Sequence, residues 1–206
     1  MIKAKHCRLY HLFFKNYFRY ILWKDFRKTE IIGKFKDRGL PLMVIGNHIS
    51  WWDGFFPYEL NRRLFKRRFH IMLLEEELSK RSFFRRLGAF SIHPGSRTVL
   101  HSLKYATELL QNNNNMLLIY PQGEIQSQYT NEIIFRKGWF RILQNAGNPV
   151  NVVFIANLTD YLSNRKPTLY TYLEEYHQTL GFVFEELHTS YNNFYQRCIK
   201  QQTRLK

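Results

Sequence analysis

Short apolar runs that alternate with helical patterns constrain the fold of this chain more than any other feature. Each run ends in polar or turn-forming residues, and the runs read LPLMVIGNH, HIMLLEEEL, AFSIH, MLLIYP and PVNVVFIAN in chain order. Between two of them, residues 97–113 repeat apolar side chains at the spacing of one helical face. Buried strands that alternate with amphipathic helices are typical of parallel sheets. The sequence therefore predicts an α/β fold, with a mainly parallel sheet flanked by helices.

The length of the chain and its two cysteines suit one domain without covalent cross-links. A chain of 206 residues can bury a continuous core without disulfides or metal. Cys7 and Cys198 lie near opposite ends, which fits neither a disulfide framework nor a metal-ligand spacing. We predict an N-terminal amphipathic segment over residues 1–30 and a single domain over residues 31–206. Residues 181–206 predict a C-terminal helix with a basic, frayed end.

The strong positive charge predicts a polyanionic partner. The formal net charge is +15, from 31 lysines and arginines against 16 aspartates and glutamates. Such a charge attracts nucleic acid, an anionic membrane surface or a phosphorylated substrate. Because no nucleic-acid-binding signature is recognisable, no nucleic acid partner is expected. Aromatic residues form 17% of the chain, and many lie beside lysine or arginine, which suits a membrane interface. An aromatic-rich core with a solvated basic surface fits this composition equally well.

The N-terminal pattern suits a helix lying on a membrane surface. Residues 8–24 combine a broad apolar face with interspersed cations. Packing of this face on the protein's own core is the alternative interpretation. No apolar stretch reaches the ~18 residues that a transmembrane helix needs. We therefore expect a peripheral or monotopic protein on the cytoplasmic face of a membrane, in contact with anionic lipids and without a transmembrane span.

Two polar loops follow predicted strands and mark a candidate active-site rim. GNHISWWDG follows the first apolar run, and YPQGE follows the fourth. Ligands of parallel sheets gather beyond the carboxyl ends of strands. In the first loop His48 precedes Asp53 by five residues, and a carboxylate beside a histidine can fix its tautomer for general-base catalysis. The simpler alternative is two polar residues at the end of a buried strand.

Four blocks of the sequence resemble the glycerolipid acyltransferase family, which includes the bacterial lysophosphatidic acid acyltransferases. The family patterns, in chain order, are N-H-x-x-x-x-D, a Gly-aromatic-Ile-Asp-Arg block, F-P-E-G-T-R with a following F-K-x-G, and a V-P-I-x-P-V strand. The corresponding segments here are NHISWWD, LGAFSIH, YPQGE with FRKGWF, and NPVNVVFIA. Any one block is weak, but four in order are a specific signal.

The resemblance implies a direct acyl transfer with an acyltransferase domain over residues 31–206. His48 would be the general base that removes a proton from an acceptor hydroxyl, and Asp53 would orient His48. The acyl donor would be acyl-CoA or acyl-carrier protein as co-substrate, with no other cofactor and no metal. Backbone amides near Gly123 would polarise the thioester carbonyl. The implied substrate-binding residues are Gly88, His93, Arg97, Pro121, Gln122, Gly123, Glu124 and Lys137.

Departures from the family patterns concern the acceptor. Pro94 stands where the second block has arginine, Gln122 replaces glutamate, and the next arginine position falls on Ile125 or Gln126. Neutral side chains there remove a guanidinium clamp for a phosphate monoester. We therefore expect a lyso-lipid acceptor other than lysophosphatidic acid, such as a lyso-aminolipid. Arg97 would restore one phosphate contact if its loop folds inward.

A non-catalytic protein is the alternative from a different functional class. A basic, aromatic-rich module with a degenerate acyltransferase fold would bind membrane or nucleic acid, and His48 and Asp53 would then be structural. Composition fits both hypotheses, whereas the ordered motif series favours the enzyme.

Overall fold

The computed structural model describes residues 1–178 and 181–205, and within them seven strands form one sheet. The strands are β1 (Lys28–Ile32), β2 (Leu42–Gly46), β3 (Arg68–Leu74), β4 (Ala89–Ile92), β5 (Asn115–Ile119), β6 (Asn151–Asp160) and β7 (Thr168–Tyr176). Their order is β1-β7-β6-β2-β5-β3-β4. All neighbours are parallel except β6 and β7, which are antiparallel. The predicted α/β fold with a mainly parallel sheet is confirmed.

Helices cover both faces of this sheet. The α-helices are α1 (Arg8–Asp25), α2 (Phe56–Leu60), α3 (Glu75–Lys80), α4 (Val99–Leu109), α5 (Arg141–Gln144) and α6 (Phe184–Gln202). Short 3₁₀ or π turns occupy Trp51–Gly54, Asn61–Phe65, Ser82–Leu87 and Lys137–Phe140. One core cluster joins the sheet to α4, α5 and α6, and a second joins the opposite face to α1, α2 and α3.

The central strand β2 is buried on both faces, which explains its continuous apolar sequence. Met43 and Ile45 pack on the side of α4 to α6, whereas Leu42 and Val44 pack on the side of α1 to α3. A strand between two parallel neighbours needs apolar residues on both sides. Gly46 ends the strand where a Cβ atom would lie 2.9 Å from Ile155 Cγ1. This close approach requires glycine and fixes the start of the polar loop that follows.

Several predicted elements are shorter than their sequence patterns indicated. The sequence patterns of residues 79–88 and 137–147 are typical of amphipathic helices, but both segments are only partly α-helical, because 3₁₀ turns occupy Ser82–Leu87 and Lys137–Phe140. The strands β1 and β7, which are two of the seven strands and form one edge of the sheet, were not predicted from the sequence. β1 begins at Lys28, inside the segment that the sequence separated as residues 1–30.

The predicted C-terminal helix forms, and it packs on the core up to its last turn. Tyr191 and Tyr195 of α6 are fully buried in the core. In the last turn, Gln202 accepts a hydrogen bond of 2.7 Å from the Tyr172 hydroxyl of β7. The terminal Lys206 lies outside the described residues. The final helix is therefore a core element and not an appendage.

The first helix combines the two alternatives that its sequence left open. Phe18, Ile21 and Leu22 pack on the protein's own core. A second set of apolar side chains on the same helix is exposed, namely Leu9, Leu12, Phe13, Tyr17, Tyr20 and Trp23. Across the described residues, no helix has the length and apolar character that crossing a membrane requires.

Candidate active site

His48 and Asp53 meet in the loop that follows β2. The distance from His48 Nδ1 to Asp53 Oδ2 is 2.7 Å. Asp53 is fully buried, whereas about a quarter of the His48 side chain, 27%, is exposed. A carboxylate can only accept, so Nδ1 carries the proton and the lone pair of neutral His48 lies on Nε2. The geometry provides a histidine that is ready to accept a proton.

The local sequence explains how five residues bring these two side chains together. Ser50 caps the 3₁₀ turn Trp51–Gly54, and its hydroxyl accepts a hydrogen bond from Trp52 N at 3.1 Å. The same Asp53 carboxylate oxygen accepts from the backbone amides of Ile49 and Ser50, at 2.6 Å and 2.8 Å. This reciprocal capping box folds the chain back on itself. Asp53 is thus fixed by the backbone before it contacts His48.

Tyr120, at the end of β5, supports both residues. Its ring stacks on the His48 imidazole with centroids 4.7 Å apart and planes inclined by 14°. Its hydroxyl donates a hydrogen bond of 2.5 Å to the backbone oxygen of Asp53. Burial, and then the Asp53 charge, raises the pKa of Tyr120 well above its ordinary value, so the hydroxyl stays a donor. In the sequence this tyrosine is only the first residue of YPQGE, and no local pattern indicates its contacts with His48 and Asp53.

Gln122 ties the second polar loop to the first. Its side chain is buried, and its Oε1 accepts a hydrogen bond of 2.5 Å from His48 N. Its amide donates to Gln126 Oε1 at 2.9 Å, while Gln126 N donates to the His48 carbonyl at 2.9 Å. The loops after β2 and β5 therefore lie together at the carboxyl edge, as the strand pattern predicted.

Arg136 is a cation beside this loop that the sequence analysis did not select. Its side chain lies over Gly123, where an added Cβ atom would be 3.1 Å from the arginine Nε. Its backbone amide donates to the Pro121 carbonyl at 2.9 Å, and its guanidinium lies 3.5 Å from Glu124. The segment FRKGWF contains two adjacent cations, and only the tertiary contact shows that the first faces the loop.

Lys137, the cation that the sequence did select, faces elsewhere. Its Nζ atom lies 3.1 Å from Glu185 Oε1 and 5.2 Å from the centre of the Phe184 ring. Both partners belong to the first turn of α6. The contacts therefore give Lys137 a surface ion pair with the C-terminal helix.

The residues of the second block lie further along the sheet. β4 is separated from β2 by β5 and β3. His93 follows the carboxyl end of β4, and Arg97 lies in the loop that leads to α4. Gly88 precedes the amino end of β4 and has a φ of +109°. A Cβ atom at this position would lie 1.9 Å from the carbonyl oxygen of Phe69 and would clash with it. This close approach alone accounts for the glycine.

The part of the chain that the structure describes contains no cluster of side chains suited to bind a metal ion. Within residues 1–178 and 181–205, no group of three or more histidine, cysteine, aspartate or glutamate side chains is placed to hold a metal ion. The chemistry that the site offers is proton transfer by His48 and hydrogen bonding from the two loops.

Comparison with known protein families gives one match. A family model described as "Acyltransferase" matches residues 27–156. The matched segment contains β1 to β5, the first six residues of β6, His48, Asp53 and the loop after β5. Among curated proteins, no sequence matches the chain.

Proposed function

Since this chain belongs to the glycerolipid acyltransferase family, we propose that it moves a fatty acyl group from acyl-CoA or acyl-carrier protein to a hydroxyl of a lyso-lipid. The observation that carries the proposal is the 2.7 Å contact between His48 Nδ1 and the buried Asp53 carboxylate. With the proton on Nδ1, Nε2 is the ring nitrogen that can accept a proton from an acceptor hydroxyl.

The proposed reaction is a direct transfer. His48 Nε2 takes the proton of the acceptor hydroxyl while the hydroxyl oxygen attacks the thioester carbonyl carbon. The C–S bond then breaks, and the imidazolium returns its proton to the leaving thiolate. Asp53 stabilises the transient imidazolium, and backbone amides near Gly123 stabilise the charge on the carbonyl oxygen. Atoms and charges balance without any covalent intermediate on the protein.

The charges beside the site support a zwitterionic acceptor. Arg136 and Glu124 lie 3.5 Å apart, and both side chains are more than half exposed. Such a pair can bind the anionic part of a headgroup through arginine and an ammonium through glutamate. Pro94 occupies the arginine position of the second block. We therefore propose a lyso-aminolipid, and not lysophosphatidic acid, as the acceptor.

A membrane-surface location supports access to such a substrate. The exposed apolar side chains of α1 lie on the helix whose inner face contacts the catalytic segment through aromatic rings. Phe18 of α1 contacts Phe55 with ring centroids 4.7 Å apart, and Phe55 contacts the exposed Trp51 at 4.5 Å. Aromatic rings beside cations suit the headgroup boundary of a bilayer. We propose peripheral attachment to the cytoplasmic face through this side of the molecule.

Purified protein with acyl-CoA and a mixture of lyso-lipids in vesicles tests the activity directly. Mass spectrometry of the products identifies both the acceptor and the new ester. His48→Ala should lower the transfer rate by roughly two to four orders of magnitude. His101→Ala, on the exposed side of α4, is the matched control and should retain the wild-type rate.

Either of two outcomes would contradict the proposal. Unchanged transfer by folded His48→Ala protein would remove the catalytic assignment. Wild-type protein that binds vesicles but cleaves no thioester, with acyl-CoA or acyl-carrier protein as donor, would favour the non-catalytic membrane-binding module.

A further inference from the structure

A cavity lies at the amino ends of strands β3 and β5, whereas His48 lies beyond the carboxyl end of β2. Its volume is about 310 Å³, and it opens beside the first residues of β3. Four cationic side chains and two histidines line it, namely Arg62, Lys66, Arg67, Arg68, His6 and His11. No carboxylate is among the lining residues. This composition favours an anionic ligand.

Strand register separates this cavity from the candidate active site. Arg68, the first residue of β3, pairs with Asn115, the first residue of β5. His48 follows the carboxyl end of β2, which runs parallel to β5. One full strand length therefore lies between the two sites, and they share no residue.

Two of the four cations lack a carboxylate partner. Arg62 donates to Glu59 at 2.7 Å and 2.6 Å, and Arg67 pairs with Asp37. For Lys66 and Arg68, no ion pair exists among the described residues, 1–178 and 181–205. Both side chains line the cavity, and a bound anion would supply the negative charge that balances them.

The cationic turn is held in a fixed and unusual conformation. A π-helical turn, Asn61–Phe65, ends at Lys66 with a left-handed backbone, φ +54°. The Asn61 side chain closes the turn, since it donates to the Arg67 carbonyl at 2.8 Å and accepts from Arg67 N at 3.0 Å. Single π turns and left-handed non-glycine residues are frequent at functional sites. The closure fixes Lys66 and Arg68 on either side of a rigid loop.

The two histidines line the cavity and bond to each other and to Tyr58. His6 Nδ1 lies 2.9 Å from His11 Nε2, and His11 Nδ1 lies 2.9 Å from the Tyr58 hydroxyl. Burial, followed by the nearby His70 and Arg68, lowers the pKa of His6 to about 3. The other ring nitrogen of His6, Nε2, is buried and has no hydrogen-bond partner in the described part of the chain. Because Nδ1 is bonded to His11 and Nε2 is buried, His6 forms part of the cavity wall and leaves the charged contacts to the cations.

We propose that this cavity binds the phosphate group of an anionic ligand, with Lys66 and Arg68 as its charged contacts. This binding site goes beyond the proposed acyl transfer, because it lies a strand length from His48. The shared chemistry is a phosphate group, carried either by a soluble compound or by a phospholipid headgroup. Lys66 and Arg68 are both exposed, so either source of the phosphate group can reach them.

Titration calorimetry and vesicle flotation on the full-length protein test the site. The soluble probe is inorganic phosphate, and the lipid probe is phosphatidylcholine vesicles with and without phosphatidylglycerol. The test variant combines Lys66→Asn, since asparagine tolerates the left-handed backbone, with Arg68→Gln. The control variant, Lys200→Gln with Arg204→Gln, removes the same charge from the far end of α6.

We expect the test variant to bind at least about tenfold more weakly and the control to stay within about twofold of wild type. Loss of phosphate binding identifies a soluble ligand, and loss confined to phosphatidylglycerol vesicles identifies a headgroup. If the double variant does not fold, each single substitution is measured instead. The proposal is overturned if wild type binds neither probe, or if test and control variants weaken binding equally.

Discussion

At the scale of single residues, the negative charge of Asp53 is the first property to test. Asp53→Asn keeps the shape of the side chain but removes the charge that stabilises a protonated His48. An amide can also donate to Nδ1, which would favour the wrong tautomer of the imidazole. We expect the acyl-transfer rate to fall by roughly two to four orders of magnitude, while circular dichroism shows a retained fold. An unchanged rate would mean that the carboxylate only caps its 3₁₀ turn.

The Tyr120 hydroxyl is a second residue-scale feature with a separable effect. Tyr120→Phe keeps the ring that stacks on His48 but leaves the backbone oxygen of Asp53 without its 2.5 Å donor. The free energy of unfolding should fall by about 1 to 3 kcal/mol, which urea denaturation measures. Tyr120→Leu also removes the stacking ring and should lower activity further than Tyr120→Phe does. Equal activity in the two variants would exclude a positioning role for the ring.

At the scale of elements, α6 should contribute to the stability of the whole fold. Tyr191 is fully buried, and its hydroxyl donates to the Ile155 carbonyl of β6 at 2.9 Å. Tyr191→Ala should lower the free energy of unfolding by about 3 to 5 kcal/mol, because it leaves a cavity and an unpaired carbonyl. Gln201→Ala, on the exposed side of the same helix, should change it by less than about 0.5 kcal/mol. A small effect at Tyr191 would show that α6 packs more loosely than the structure indicates.

The elements also show what sequence reasoning can and cannot reach. The run LPLMVI predicts β2 because a strand buried on both faces must be continuously apolar. β1 is short and partly exposed, so its residues carry little periodic signal. β7 does alternate threonine, tyrosine and leucine, a pattern that favours a strand, but it follows the residues that the family resemblance covers.

Some residues of the candidate site are predictable from local sequence, and others are placed only by tertiary contacts. His48 and Asp53 lie in one loop, so their spacing and the capping sequence predict their contact. Tyr120 contacts Asp53 across two loops that only the sheet order brings together, whereas Arg136 contacts Gly123 because the long connection from β5 to β6 folds back on itself. Sequence alone does not fix which of two neighbouring cations, Arg136 or Lys137, turns toward Gly123.

At the scale of the whole molecule, the exposed apolar face of α1 should attach the protein to anionic membranes. The test variant combines three substitutions on this face, Leu12→Ser, Phe13→Ser and Trp23→Ser. The replaced side chains are 60%, 64% and 73% exposed, so the fold should not lose core contacts. We expect the combined variant to bind phosphatidylglycerol vesicles at least about tenfold more weakly in a flotation assay. Leu100→Ser with Ile134→Ser, exposed apolar residues on other elements, is the control. Equal losses in both variants would argue against a specific docking face.

The pairing of β1 with β7 has a consequence for how the chain folds as it is synthesised. Lys28 of β1 lies beside Thr168 of β7, although most of the sequence separates them. Contacts between such distant segments form late, because a long loop must close first. On the ribosome, α1 and β1 emerge early, but β1 has no strand to join until β7 appears in the final fifth of the chain. During that interval Leu22 of α1, which packs in one cluster with Leu169 of β7, also lacks this partner, so the nascent chain should be at its most dependent on chaperones or a membrane.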